Sequence, residues 1–163
     1  MSETIVLVRW PAMGEMVSHL SDVSLSEEER HALRTMELDT KSEYAAVREL
    51  DPRALVFEGR ETGLWILLQE IRQKKECGIM VDESRIPLLQ LTRKLSSRLG
   101  KNPYEMDCRG CLLVLSADGK RIADELCSAG IPAVVIGKLT APGGPILIRM
   151  AGHTIYLEPD PEK

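Results

Sequence analysis

Residues 110–136 read GCLLVLSADGKRIADELCSAGIPAVVI: an aliphatic run, a polar break, an amphipathic stretch, a glycine–proline turn and a second aliphatic run. Gly110 to Leu115 has the composition of a strand. Lys120 to Ser128 predicts a helix with Ile122, Ala123 and Leu126 on its inward face. Gly130 and Pro132 turn the chain into Ala133–Ile136, a second buried strand. Strand, helix and strand in succession imply a helix laid across a sheet.

The same alternation continues on the N-terminal side. Ile79 to Val81 predicts a strand. Pro87 suits the first turn of a helix, where its missing N–H costs nothing, and Leu88, Leu91, Leu95 and Leu99 form its stripe until Gly100 stops it. Ala54 to Phe57 predicts another strand, followed by a helix in which Leu64, Leu67, Leu68 and Ile71 keep helical spacing. Lys74, Lys75 and Gly78 mark its end. Thr4 to Val8 predicts a buried strand; Pro11 and Gly14 break the pattern before a short helix from Glu15 to Leu20. Ser26, three residues ahead of Glu29, is a capping box opening the next helix, so the Glu27–Glu28–Glu29 run is a helix start and not a metal cluster. A third helical piece runs through Tyr44, Ala45, Ala46, Val47 and Leu50 to Pro52.

On the C-terminal side, Pro142, Gly143 and Gly144 turn into Ile146–Met150, and Thr154–Leu157 reads as the return arm of a hairpin. The last residues, EPDPEK, predict a frayed tail over 158–163. The fold class expected is α+β, a mixed sheet layered by helices, in one domain over residues 1–163.

Composition narrows the function classes. Of 163 residues, 44% are hydrophobic, 28% charged and 4% aromatic, with a net charge of −4, so the core is aliphatic and the chain globular. The basic clusters, Arg72 with Lys74 and Lys75 and Arg93 with Lys94, sit on amphipathic helices. Nucleic-acid binding is not expected, because it needs a concentrated patch. No apolar run approaches the ~20 residues that span a bilayer, and no basic leader precedes the first strand, so the chain is expected in the cytoplasm. Cys77, Cys108, Cys111 and Cys127 are then free thiols.

The block from Gly78 to Thr140 resembles the C-terminal domain of the aminoimidazole ribonucleotide (AIR) synthetase superfamily. That superfamily also includes selenophosphate synthetase, thiamine monophosphate kinase and the hydrogenase maturation dehydratase. The shared grammar is a strand, Ile86–Pro87, Leu99–Gly100, an Asn102–Pro103–Tyr104–Glu105 turn, another strand and helix, then AGIPA and VIG. Upstream, IVLVRWPAMGEMV resembles the start of the domain in the hydrogenase-maturation-like branch, and the likeness spans Ile5 to Pro159. The resemblance implies an α+β sheet layered by helices. Full-length members carry an N-terminal half that binds ATP and magnesium, and nothing here corresponds to it. No cofactor is therefore expected, with ATP and magnesium entering only if that half is supplied.

The stretch LVFEGRETGLWILLQEI, residues 55–71, raises the question of a phosphate site, because a strand, a glycine-bounded loop and a helix can hold one. The family shows there a stretch resembling His-Asp-Ala-Ser/Thr-Glu-Gly-Gly. Glu61 and Gly63 fall where its Glu and second Gly would lie, Thr62 replaces a glycine, and Val56 and Phe57 stand nearest to the His and Asp. Valine and phenylalanine move no protons. No catalytic residue is expected. A solvent-exposed turn is favoured; the competing reading is an anion site formed by Arg60, Glu61, Thr62 and Gly63, with Arg9 and Trp10 after the first strand facing a ligand.

Cys108 and Cys111 have the spacing of a redox pair or half a zinc site, but the other cysteines and the histidines show no partner spacing, so a strand-entry turn is favoured and no metal is expected. His153 reads as a hairpin-turn residue. The resemblance therefore implies a stand-alone binding, assembly or regulatory module. The alternative is one half of an ATP-dependent phosphotransferase or ligase whose nucleotide domain lies elsewhere. A homodimer, a separate ATP-binding chain and a phosphorylated small molecule are the expected partners.

Overall fold

The structure, a computed structural model, describes residues 3–19 and 25–158. Its strands are β1 (Thr4–Val8), β2 (Leu55–Glu58), β3 (Cys77–Asp82), β4 (Leu112–Ser116), β5 (Ala133–Pro142), β6 (Ile146–Met150) and β7 (His153–Leu157). The helices are α1 (Met13–Ser18), α2 (Glu27–Arg34), α3 (Lys41–Leu50), α4 (Leu64–Lys75), α5 (Gln90–Leu99) and α6 (Gly119–Ser128), with short 3₁₀ turns at Glu83–Arg85 and Pro103–Glu105. All strands join one seven-stranded mixed sheet in the order β2-β4-β1-β5-β3-β6-β7. The β3–β6 pair is parallel and every other pair antiparallel. This is the α+β architecture expected.

β1 lies inside the sheet, between β4 and β5, and is aliphatic on both sides. Ile5 and Leu7 point to the face covered by α4, whose Leu64, Leu67, Leu68 and Ile71 are buried. Val6 and Val8 point to the opposite face, where they meet Val47 of α3 and Ile122 and Leu126 of α6. β4 alternates in the same way, with Leu113 and Leu115 on one side and Leu112 and Val114 on the other. Each such buried aliphatic side chain contributes about 1.5–3 kcal/mol through removal from water. A satellite core of Met16, Leu33, Leu95 and Met106 joins α1, α2 and α5 beside the sheet.

β4 and β5 both run antiparallel to β1, which lies between them, so the strand–helix–strand of residues 110–136 is split by an inserted strand. α6 crosses over β1 on one face. α4 makes the corresponding crossing from β2 to β3 on the other.

Several local expectations shift. The first helix occupies Met13–Ser18, and Leu20 lies outside the described residues. Gly78 does not end α4: Glu76 does, in the left-handed conformation at φ 54°, and Gly78 lies within β3. Cys77 likewise lies in β3. Pro87 does not open a helix; α5 starts at Gln90 after an extended Leu89, so of the leucine stripe only Leu95 is fully buried and Leu99 is 37% exposed. Leu88 packs instead against the α4-side core. β5 runs on to Pro142, well past the Ala133–Ile136 core. His153 pairs with Met150 as the first residue of β7. The capping box is present: the Glu29 N–H donates to Ser26 Oγ at 3.1 Å and the Ser26 N–H to Glu29 Oε1 at 2.8 Å. The tail beyond Glu158 lies outside the described residues.

Among the described residues four carboxyls are held below their ordinary range. The Ser26 N–H and Lys94 stabilise ionised Glu29. The Ser116 hydroxyl stabilises Asp51, and the Ser84 hydroxyl Asp82. Burial raises Asp107, but the Arg109 guanidinium outweighs it. Because these folded values lie below the unfolded ones, their stabilisation is complete above the usual carboxyl range near pH ~4 and is lost as pH falls through and below it. The urea midpoint should therefore fall between about pH 6 and about pH 3.5. A flat midpoint across that range would contradict the assignment.

Candidate functional site

β2 and β1 both end beside the start of β4: Glu58 and Val8 each pair with Leu112. The fold thus brings the Gly59–Gly63 loop, the Cys108–Cys111 turn and Arg9 to one end of the sheet. The loop is held through two backbone carbonyls. Arg60 O accepts from the Cys108 N–H at 2.9 Å and the Gly63 N–H at 3.3 Å, while the Gly59 N–H donates to Cys111 O at 2.9 Å. The Cys108 thiol also donates to Arg60 O, at 3.3 Å.

The charged side chains of the loop point outward and are matched by the protein itself. Arg60 Nε lies 3.2 Å from Glu70 Oε1 on α4. Glu61 Oε1 lies 3.7 Å from Arg109 Nη1, and the same guanidinium grips Asp107 at 2.7 Å. Thr62 is exposed.

The mouth of α4 is filled from within. Gly63 sits at φ 97° and ψ 174°, a conformation essentially reserved to glycine. A Cβ there would lie 2.7 Å from the Glu105 backbone and 2.8 Å from Tyr104 O. Leu64 and Trp65, the first residues of the helix, are buried. Trp65 stacks on Tyr104 with ring centroids 4.4 Å apart. The Tyr104 hydroxyl donates to Glu83 Oε1 at 2.8 Å, and burial together with that carboxylate pushes its pKa well up. The NPYE turn is therefore the plug of this helix entrance, a role its sequence hinted at only through the aromatic at Tyr104.

Val56 and Phe57 are half-buried on β2 and pack against opposite core clusters, Phe57 on the α4 side and Val56 on the α6 side. Arg9 follows β1 at φ 69°, donates from its backbone to Pro132 O at 2.8 Å and pairs with Glu43 at 3.8 Å. Trp10 is half-buried. Of the residues named as an anion site, Arg60, Glu61, Thr62 and Gly63 are together by chain order. Arg9 and Trp10 share their end of the sheet, but the Arg9 charge is directed to Glu43.

Cys108 and Cys111 form a strand-entry turn, closed by the Cys111 N–H donating to Cys108 O at 3.3 Å, and both thiols are free and buried. The Cys111 thiol supports the Cys108 sulfur and lowers its pKa; that contact and burial raise Cys111. Among the described residues no group of three or more His, Cys, Asp or Glu could hold a metal ion. No described helix is long and apolar enough to cross a membrane.

No protein-family model and no curated protein sequence matches the chain. Solved structures do. The chain is similar to a chain of a HypE–HypF complex, with TM-score 0.77 and 12% identity, over 97% of this chain and 53% of that one. It is similar to HypE of E. coli, with TM-score 0.78 and 15% identity, over 98% and 50%. It is similar also to thiamine monophosphate kinase of Aquifex aeolicus, with TM-score 0.62 and 14% identity, over 90% and 49%. The fold is the AIR synthase-related one implied by the resemblance, and this chain spans about half the length of those structures.

Proposed function

We propose that a chain with the fold of half a HypE or thiamine monophosphate kinase works as a binding or assembly module and catalyses no reaction by itself. The observation that carries this reading is the filled entrance of α4. Gly63 abuts the Tyr104–Glu105 backbone, and Arg60 and Glu61 are matched by Glu70 and Arg109. An anion arriving there meets no unmatched cation of the loop and no gap at the glycine. Val56 and Phe57 support the same reading, since both side chains belong to the core.

A second reading keeps the enzyme. Solved relatives of this fold include HypE in complex with ATP and thiamine monophosphate kinase complexed with AMPPCP and TMP, each about twice this chain's length. On that view a separate ATP-binding chain supplies nucleotide, magnesium and catalysis. The HypE–HypF neighbour favours a protein partner in either case. A homodimer through the sheet edges at β2 or β7 is compatible with both. Free thiols fit a reducing, cytoplasmic setting.

The deciding measurement is phosphate release from magnesium–ATP on the purified chain. No turnover is expected. Turnover by this chain alone would overturn the module reading, and turnover appearing only on adding a separately encoded ATP-binding chain would establish the second.

A further inference from the structure

The helices cover the two faces of the sheet unequally. α4 lies over Ile79, Val81, Ile146 and Ile148 on one face. On the other face α3 and α6 cover β2, β4 and β1 and reach only the start of β5. Beyond that point the face carries Lys138, Arg149, Thr154 and Tyr156, all exposed, the last at 52%.

A concavity of about 370 Å³ opens on this bare half. Its walls include Met80, Asp82, Arg85, Val135, Lys138 and Arg149. The volume falls at the lower end of the ~300–1,000 Å³ typical of small-molecule sites. Two backbone features build it. The β1–β5 register shifts between Ile5 and Val6, so Thr4 faces Lys138 while Val6 faces Val135. That extra residue places Val135 and Lys138 on the same face, which simple alternation forbids. Gly137 lets β5 approach β3 closely, since a Cβ would collide with the Met80 carbonyl and lie 3.0 Å from Val81 Cα. The floor is consequently low and partly apolar, with Met80 paired across to Lys138.

The charge is concentrated against the sign of the whole chain. Arg85, Lys138 and Arg149 share the cavity with a single carboxylate, Asp82, in a protein of net charge −4. No ion pair within 4.0 Å engages Arg85, Lys138 or Arg149 among the described residues. Asp82 Oδ1 is already occupied by the Ser84 N–H at 3.1 Å and its hydroxyl at 2.7 Å. Asp82 and Arg149 sit opposite each other across β3 and β6, so the carboxylate moderates the field without cancelling it.

We propose that this cavity, and not the entrance of α4, binds a phosphorylated small molecule, its phosphate held by Arg85, Lys138 and Arg149 and its body lying over Met80 and Val135. The proposal rests on the binding-module reading and supplies its ligand class. Two guanidinium forks and an ammonium suit phosphate oxygens, and the cations stand on strands and a 3₁₀ turn already fixed by the sheet.

Inorganic pyrophosphate is the probe, titrated into the full chain at about 50 mM salt while backbone amides are followed by NMR. Saturable shifts are expected at Met80, Gly137 and Arg149. Arg149→Glu and Lys138→Glu should each weaken binding about tenfold or more, consistent with loss of a charge-assisted hydrogen bond. Both side chains are exposed, so the thermal midpoint should stay as in the parent. Arg60→Glu should leave affinity unchanged. Non-saturating shifts, shifts centred on Gly59–Leu64, or parental affinity in both cavity variants would overturn the proposal. Such a failure would leave the module reading standing, whereas ATP turnover by the chain alone would remove that reading without touching the cavity.

Discussion

Gly63→Ala should destabilise the fold by about 3–5 kcal/mol, adding the conformational cost of a glycine-only backbone region to that of overpacking a closed site. The residue sits at φ 97° and ψ 174°, and its new methyl would lie 2.7 Å from the Glu105 backbone. Neither side yields easily. Gly63 caps α4 through its carbonyl, which accepts from Leu67 N–H at 3.3 Å. The opposing turn is pinned by the Glu105 N–H donating to Asn102 O at 3.0 Å and by the Trp65–Tyr104 stack. In a chain of this size each kcal/mol moves the midpoint by about 2–4 °C, so a drop of about 6–20 °C is expected on thermal unfolding. If Gly63 were kept to admit a ligand's phosphate, alanine would leave the midpoint in place and abolish only binding. That outcome would reopen the α4 entrance as a site.

Tyr104→Ala should cost a similar amount, about 3–5 kcal/mol, the range for emptying a buried aromatic position. Tyr104 is 4% exposed, as is Trp65 against which it stacks. Its removal opens the α4 entrance and wets the Trp65 indole, so a red shift of tryptophan emission should accompany the fall in urea midpoint. Tyr104→Phe separates the contributions. It keeps the stack and removes the hydroxyl that donates to Glu83 at 2.8 Å, and should cost about 1.5–3 kcal/mol, the value of a hydrogen bond to a charged group. Equal midpoints for Tyr104→Ala and the parent would mean that the plug contributes nothing and that the entrance is open in solution.

Both predictions bear on how much of the candidate site was legible in residue order. The loop Arg60–Gly63 and the helix after it were found from a glycine-bounded break between aliphatic runs. Whether the loop was a site depended on Glu70, Tyr104, Glu105 and Arg109, which fill or neutralise it from elsewhere in the chain. Glu70 is one helical turn and more along α4, and the others arrive from the turn before β4. No spacing rule connects them to Arg60. The cavity cations were less visible still. Arg85 falls between the strand ending at Val81 and the helix expected from Pro87, while Lys138 and Arg149 interrupt aliphatic strands. Only the register of β5 against β1 and β3 places Lys138 beside Met80.

Residue order by itself determined the kinds of element and much of their succession: the aliphatic runs, the capping box at Ser26, the amphipathic stripes of α4 and α6, and the α+β class. These are local properties, set by side-chain periodicity and by which residues cap or break a helix within a few positions. Tertiary structure alone decided that β1 inserts between β4 and β5, that β6 pairs parallel with β3, and that one half of one sheet face stays bare. β1 is equally aliphatic on both sides, so its pattern says that it is central without saying between which strands. That choice is made by burying α4 on one face and α6 on the other at once, a condition on the whole chain that no short stretch expresses.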